Sequence, residues 1–197
     1  MPRKASVSRK TKETSIKVSI NLDGKGNYKT NTSIPFLDHM LSLMSKHGYI
    51  DLDIQAKGDI EVDYHHLLED IGIVMGEAVN KSLGKKLSIR RYGESMTPMD
   101  ECLAQVVIDL SGRPYLVYKV RTPKGSSQIQ NLGVSLFEDF FRAFSNNAGM
   151  NLHIILHYGR DPHHIFEAIF KGLGRALHSA VEIQSKSKGV PSTKGTL

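Results

Sequence analysis

One short segment constrains this chain more than any other. It reads Asp63-Tyr64-His65-His66-Leu67-Leu68-Glu69-Asp70, and it returns as Asp161-Pro162-His163-His164-Ile165-Phe166-Glu167. Each copy reads as a helix start, with Asp63 or Asp161 as N-cap. Pro162 takes the first helical position, where a missing N–H costs nothing. His65 and Glu69 are four residues apart, as are His163 and Glu167, so each pair shares one helix face and can share a metal ion. Neighbouring helical residues diverge by about 100°. His65 and His66 therefore point to different places, and so do His163 and His164. The simplest geometry that uses all four imidazoles has two metal sites. A single His-His pair is ordinarily surface chemistry or a cap neighbour. Two copies with the same cap and a Glu at the same offset point to metal.

The repeat extends beyond these helices. Shifted by 101 residues, Phe36 falls on Phe137, Asp38 on Asp139 and Gly48 on Gly149; after a gap of three, Glu69 falls on Glu167 and Ala78 on Ala176. Each half reads as strands, helix, strand, helix. The expected fold is α+β: two duplicated half-domains, each a mostly antiparallel sheet covered by two helices, packed as a layered sandwich with pseudo-twofold symmetry. The expected boundaries are a basic N-terminal arm at 1–12, repeats at 13–84 and 85–184, and an arm at 185–197 that closes over substrate.

In the first half, Ile16, Val18, Ile20 and Leu22 alternate as a half-buried strand. Asp23-Gly24 is a hairpin signal, which predicts a return strand over 28–33. A helix is expected over 36–46, ended by Gly48, then a strand over 49–54 and the first His-His helix to about residue 82. In the second half, strands are expected over 88–95, 101–110, 115–120 and 152–156. Helices are expected over 132–146 and 163–182.

At 197 residues and 40% hydrophobic, the chain can bury a core as one domain or two small ones. Its net charge of +6 admits nucleic acid, an acidic surface or a phosphorylated substrate. Much of the excess lies in the ends, as solvated tails ordinarily do. The single Cys102 excludes an intramolecular disulfide and suits a reducing compartment. No apolar run is long enough for a membrane helix, so a cytoplasmic protein with no membrane partner is expected.

Imidazole and carboxylate without thiolate suit Mn, Fe, Co, Ni or Zn; the residues alone do not choose. His66 and His164 would each complete the site anchored by the other half. His39 is a natural fourth ligand. His47, His153, His157 and His178 compete with it; His47 suits a helix C-terminus, His153 a hydrogen-bonded sheet position and His178 the surface. Arg91, Arg113, Lys171 and Ser192-Thr193-Lys194 are scattered cationic and hydroxyl groups that a phosphate would draw together.

The chain resembles the imidazoleglycerol-phosphate dehydratases. The matching segments are Arg9–Thr14, Phe36–Leu41, His65–Asp70, Met99-Asp100-Glu101, Asp109–Pro114, His163–Lys171 and Pro191–Gly195. The resemblance implies dehydration of D-erythro-imidazoleglycerol phosphate to imidazole acetol phosphate in histidine biosynthesis, with two Mn²⁺ per active site binding the substrate imidazole. It implies a cage of about two dozen copies with active sites between subunits. By that likeness His65, Glu69 and His164 hold one ion, and His39, His66, His163 and Glu167 the other. Catalytic roles fall to Glu13 as acid/base, with His65 and Glu167. Arg91, Arg113, Lys171, Ser192, Thr193 and Lys194 would bind phosphate, and His47 would line the substrate alongside Glu13, His39, His65, His66, Glu69 and His163. One position departs from the family: Asp139 stands where some members have a histidine ligand.

Two rival readings follow from the residues. One is a two-metal hydrolase of phosphate esters, independent of any imidazole. The other is a basic nucleic-acid-binding protein. Against the latter, aromatic residues are not interleaved with the basic ones and no nucleic-acid motif is present.

Overall fold

The computed structural model describes residues 3–125, 127–186 and 189–195. The first half contains β1 (Lys4–Lys10), β2 (Thr14–Asn21), β3 (Tyr28–Asn31), α1 (Pro35–Gly48), β4 (Asp51–Gly58) and α2 (His65–Leu83). The second contains β5 (Tyr92–Met99), β6 (Cys102–Asp109), β7 (Tyr115–Lys119), the short pair β8 (Gln128–Ile129) and β9 (Leu132–Gly133), α3 (Leu136–Ala148), β10 (Asn151–Tyr158) and α4 (Pro162–Val181). The two four-stranded sheets have the same topology, β1-β2-β4-β3 and β5-β6-β10-β7. In each, the last strand of the order runs parallel to its neighbour and the other pairs are antiparallel. Helices α1 and α2 cover the first sheet, and α3 and α4 the second. The halves meet through α1 on α4 and α2 on α3, so four helices lie between two sheets.

Alternation drives the sheets. Ile16, Val18 and Ile20 are buried while Lys17 is exposed. On β6, Cys102, Ala104, Val106 and Ile108 are buried. The helix layer is largely apolar inside. Leu37, Met40, Leu41 and Met44 fill the α1 side, and Phe137, Phe140, Phe141, Phe144, Phe166 and Phe170 fill the other. Phe137 and Phe166 have ring centroids 4.2 Å apart. Such aromatic pairs contribute about 0.5–1.5 kcal/mol beyond area burial. The helix pairs approach at glycines. A Cβ on Gly174 would sit 2.2 Å from the Met44 carbonyl oxygen, and one on Gly76 would sit 2.6 Å from that of Phe144.

The structure corrects several expectations. The basic opening segment, expected as an arm, forms edge strand β1, with Val7 opposite Val18; residues 1 and 2 of that arm lie outside the described residues. Asp23-Gly24 does not make a hairpin. β3 pairs with β4 in parallel, not with β2. The reason is Asp51, whose carboxylate accepts the backbone N–H groups of Lys25 and Asn27 at 2.9 and 3.0 Å and the Asn21 side-chain amide at 3.0 Å. The loop is thereby wrapped round the start of β4 and delivered to its far edge. Helix α1 runs through Gly48, two residues past the expected 46, and it is Tyr49 that caps it in the left-handed conformation (φ 52°). The strand expected over 88–95 begins only at Tyr92, and the helix expected from 132 starts at Leu136 after the β8–β9 pair.

The register of the repeat is also corrected. Ser45 Oγ donates to the Ile50 carbonyl at 2.6 Å, and Ser145 Oγ donates to that of Met150 at 2.7 Å. The halves therefore superpose with an offset of 100 across these helices, not 101, and Asp139 is the counterpart of His39, not of Asp38.

Candidate active site

Helix α4 starts where the sequence places it, and α2 starts one residue later. Asp161 caps α4 by accepting the His163 N–H at 2.8 Å, and Asp63 accepts that of His65 at 2.7 Å. On α2 the residue in the capping place is Tyr64, one later than expected.

One donor cluster joins α1 to α4. His39 Nε2 lies 3.1 Å from Glu167 Oε1, and His163 completes a group whose ligand atoms all lie within 4.8 Å of one another. Phe36 packs edge-on against His163, with centroids 5.3 Å apart. The Glu167 carboxyl is opposed by burial, but hydrogen bonds from Lys171 and His39 outweigh it and hold its pKa below the usual value. Lys171 Nζ reaches Glu167 Oε2 at 3.1 Å. On α2 and α3 the counterpart residues meet round one ring without converging on a single point: His65 has Glu69 3.6 Å from Nε2 and Asp139 3.6 Å from Nδ1.

His66 and His164 face elsewhere. His66 Nδ1 lies 3.2 Å from Asp59 Oδ2 and 3.9 Å from Glu13 Oε2. The Asp59 contact, with the Glu13 charge, raises its pKa. His164 Nδ1 lies 2.7 Å from Glu101 Oε2, and that contact raises its pKa too. Glu101 is held down at about 2 by His164 and by the backbone N–H groups of Asp161 and Arg160. Within one chain, then, His66 does not enter the His39–His163–Glu167 group, and His164 lies with Glu101 instead of beside His65 and Glu69.

The scattered anion candidates do converge. Arg91, Arg113, Ser192, Thr193 and Lys194 line one cavity of about 880 Å³, with Tyr92, Ser111 and Gly112. Arg91 is already spoken for. Its guanidinium grips Asp109 at 2.6 and 3.1 Å and donates to the Pro191 carbonyl at 2.9 Å, tying the returning tail to β6. Arg113 and Lys194 have no ion pair among the described residues. Lys171 does not line this cavity but stays at Glu167, with His47 close enough that burial, then Lys171 and Arg175, lower the His47 pKa. Residues 187, 188, 196 and 197 of the expected closing arm lie outside the described residues.

The sequence profile of imidazoleglycerol-phosphate dehydratase matches residues 32–177. The chain is 53% identical over 197 residues to the imidazoleglycerol-phosphate dehydratase of Geobacter sp. (strain M21), covering all of both chains. It is 54% identical over 195 residues to that of Thermodesulfovibrio yellowstonii, covering 99% of this chain and 100% of the relative. The chain belongs to the imidazoleglycerol-phosphate dehydratase family. The crystal structure of the Staphylococcus aureus dehydratase matches with a TM-score of 0.82 at 39% identity, over 92% of this chain and 99% of that one. The Pyrococcus furiosus IGPD, solved in complex with (S)-C348, matches with 0.83 at 37%, over 97% and 100%. The chain is thus a hydro-lyase of histidine biosynthesis. Among the described residues no helix is long and apolar enough to cross a membrane.

Several groups around the sites of this dehydratase escaped the sequence reading. Asp59 and Glu101 hold the second histidine of each pair. Asp109 holds Arg91, and Asn151 pins the Ser111–Arg113 turn by donating to Ser111 Oγ at 3.1 Å and to the Arg113 carbonyl at 2.5 Å. The one available signal was position: Glu101 immediately precedes β6 as Glu13 immediately precedes β2.

Proposed function

We propose that this chain dehydrates D-erythro-imidazoleglycerol phosphate to imidazole acetol phosphate, with two Mn²⁺ per active site. The observation that carries the reading is the His39–His163–Glu167 group. An octahedral ion with bonds of about 2.1 Å separates neighbouring donors by about 3 Å; His39 and Glu167 stand 3.1 Å apart, and the three ligand atoms lie within 4.8 Å of one another. Its nitrogen and carboxylate donors suit manganese. His65, Glu69 and Asp139 are the candidate donors of the other half, with Asp139 adding one negative charge; Glu69 stands at Nε2 of the His65 ring and Asp139 at Nδ1. When bound, the ions supply Lewis-acid stabilisation of the electron-rich form of the substrate imidazole.

The protein's own groups do the rest. Glu13, with its side chain 56% exposed, takes the proton from the second side-chain carbon, the one whose hydroxyl is retained. The hydroxyl on the carbon next to the ring leaves as water, and the resulting enol gains a proton on that ring-bearing carbon to become the ketone. Arg113 and Lys194 hold the phosphate, with Ser192 and Thr193, and so fix the reacting carbons relative to the base. His66 and His164 are offered to a neighbouring chain, which supports an active site completed between subunits of a large homo-oligomer. A cytoplasmic setting agrees with the buried, unpaired Cys102.

The test is turnover of imidazoleglycerol phosphate by protein stripped of metal and resupplied with Mn²⁺. Metal-dependent formation of imidazole acetol phosphate is expected. No product from protein that has taken up Mn²⁺ would move the assignment to a two-metal phosphate-ester hydrolase.

A further inference from the structure

We propose that Glu101 is the positioning residue of His164, holding the imidazole by Nδ1 so that Nε2 is left bare for an ion. The inference rests on the reading of His164 as a ligand. A carboxylate only accepts, so the 2.7 Å contact requires the proton on His164 Nδ1. Glu101 is itself immobilised, because its Oε1 accepts the backbone N–H groups of Arg160 and Asp161 at 3.1 and 2.9 Å. The carboxylate thus ties the end of the β10–α4 loop to the start of β6 and sets the ring against both. The opposite nitrogen, Nε2, faces Asp100 at 4.0 Å, a side chain 72% exposed.

The duplication makes the assignment sharper. β2 and β6 are the second strands of identically ordered sheets, with Val18 and Val106 at matching register positions, so Glu13 and Glu101 are counterparts. They do different things. In the first half the loop from β4 to α2 spans 59–64, and its first residue, Asp59, supplies the carboxylate for His66 Nδ1. In the second half the loop from β10 to α4 spans only 159–161, and the residue at the corresponding place is Gly159. With no carboxylate in the short loop, the glutamate before the strand takes its place. Where the longer loop brings its own aspartate, Asp59 makes the close contact at 3.2 Å, and Glu13 stands back at 3.9 Å and remains available to move protons. One duplicated position has become an anchor in one half and an acid/base in the other.

A ligand histidine whose other nitrogen loses its carboxylate partner ordinarily binds metal about 10–100-fold more weakly. Glu101→Gln is a selective test. Its amide oxygen can still accept from Arg160 and Asp161, while its NH₂ group donates and so favours the opposite tautomer of His164. Two measurements on full-length protein are needed: calorimetric titration of the metal-free enzyme with Mn²⁺, and ¹⁵N shifts of labelled histidine in the metal-free enzyme. The expected result is Nδ1–H on His164 in the unaltered protein, the proton moved to Nε2 in Glu101→Gln, and a loss of Mn²⁺ affinity within that range. Unchanged affinity and tautomer in the variant would overturn the proposal. So would a bare Nδ1 in the unaltered protein, a result that stands even if the variant does not fold. If the unaltered protein binds no Mn²⁺, the metal reading fails, and the tautomer comparison still decides whether Glu101 sets the ring.

Discussion

Asp139 stands to His65 in the second pair of helices as His39 stands to His163 in the first. The two residues hold the same place in helices α3 and α1, one turn and a half before serines that make the same backbone bond. One half therefore offers an imidazole from this position and the other a carboxylate. Asp139→Ala should weaken Mn²⁺ binding about tenfold or more at one of two classes of site, while Asp139→His should retain both. Calorimetry on metal-free protein checks this, and full affinity in the alanine variant would remove Asp139 from the donor set.

Glu13 carries the proton-transfer role without being a ligand. Glu13→Gln should lower kcat about 100- to 10,000-fold while the purified protein keeps its full Mn²⁺ content. Turnover and metal analysis on the same preparation separate the two effects. An unimpaired rate would end the acid/base assignment.

Arg113 and Arg91 line the same cavity but should behave differently when truncated. Arg113 has no competing ion pair, so Arg113→Ala should cost about 1.5–3 kcal/mol of phosphate binding, read as a raised KM with stability unchanged. Arg91→Ala leaves Asp109 without its partner and unfastens Pro191, so it should lower the melting temperature as well. Identical effects of the two variants would contradict this division.

Asp51 predicts an acid limb in the stability curve. The Lys25 backbone N–H, helped by Asn21 and Asn27 and opposed by burial, holds its carboxyl at about 2. Its folded pKa is below its unfolded one, so its contribution is fully present above about pH 4. It is lost as pH falls through 4 toward 2. Asp51→Ala should destabilise by about 1–3 kcal/mol at neutral pH and flatten the curve across that window. Denaturant titrations between pH 2 and 5 provide the check.

The helix crossings give a packing prediction. Gly174→Ala places a methyl group against the Met44 backbone, which cannot swing aside as a side chain can. A loss of about 1–3 kcal/mol is expected for such overpacking, measured by thermal unfolding. Gly189→Ala, where nothing lies within 4 Å of the added carbon, differs by placing strain only on a positive φ and should leave the core unaffected.

Much of this architecture was legible because two periods run through the chain. Alternation marked β2 and β6, and the four-residue His–Glu spacing marked the helix faces that carry donors. The hairpin after β2 misled because Asp23-Gly24 is a local signal, and Asp51, 27 residues beyond Gly24, competes for the same loop through four backbone and side-chain donors. The repeat register was misread by one residue because Asp38 and Asp139 are alike in type; the serine bonds that settle it join residues through the fold, not through resemblance.

The sequence by itself determined the duplication, the helix starts at the two histidine pairs and the donor chemistry, because these depend on residue type and short-range spacing. Only the tertiary structure decided which carboxylate meets which imidazole. Glu101 and His164 are 63 positions apart, and Arg91 meets the tail across 100. Such meetings depend on how two sheets and four helices pack, and on a loop three residues shorter in one half, which no local spacing encodes.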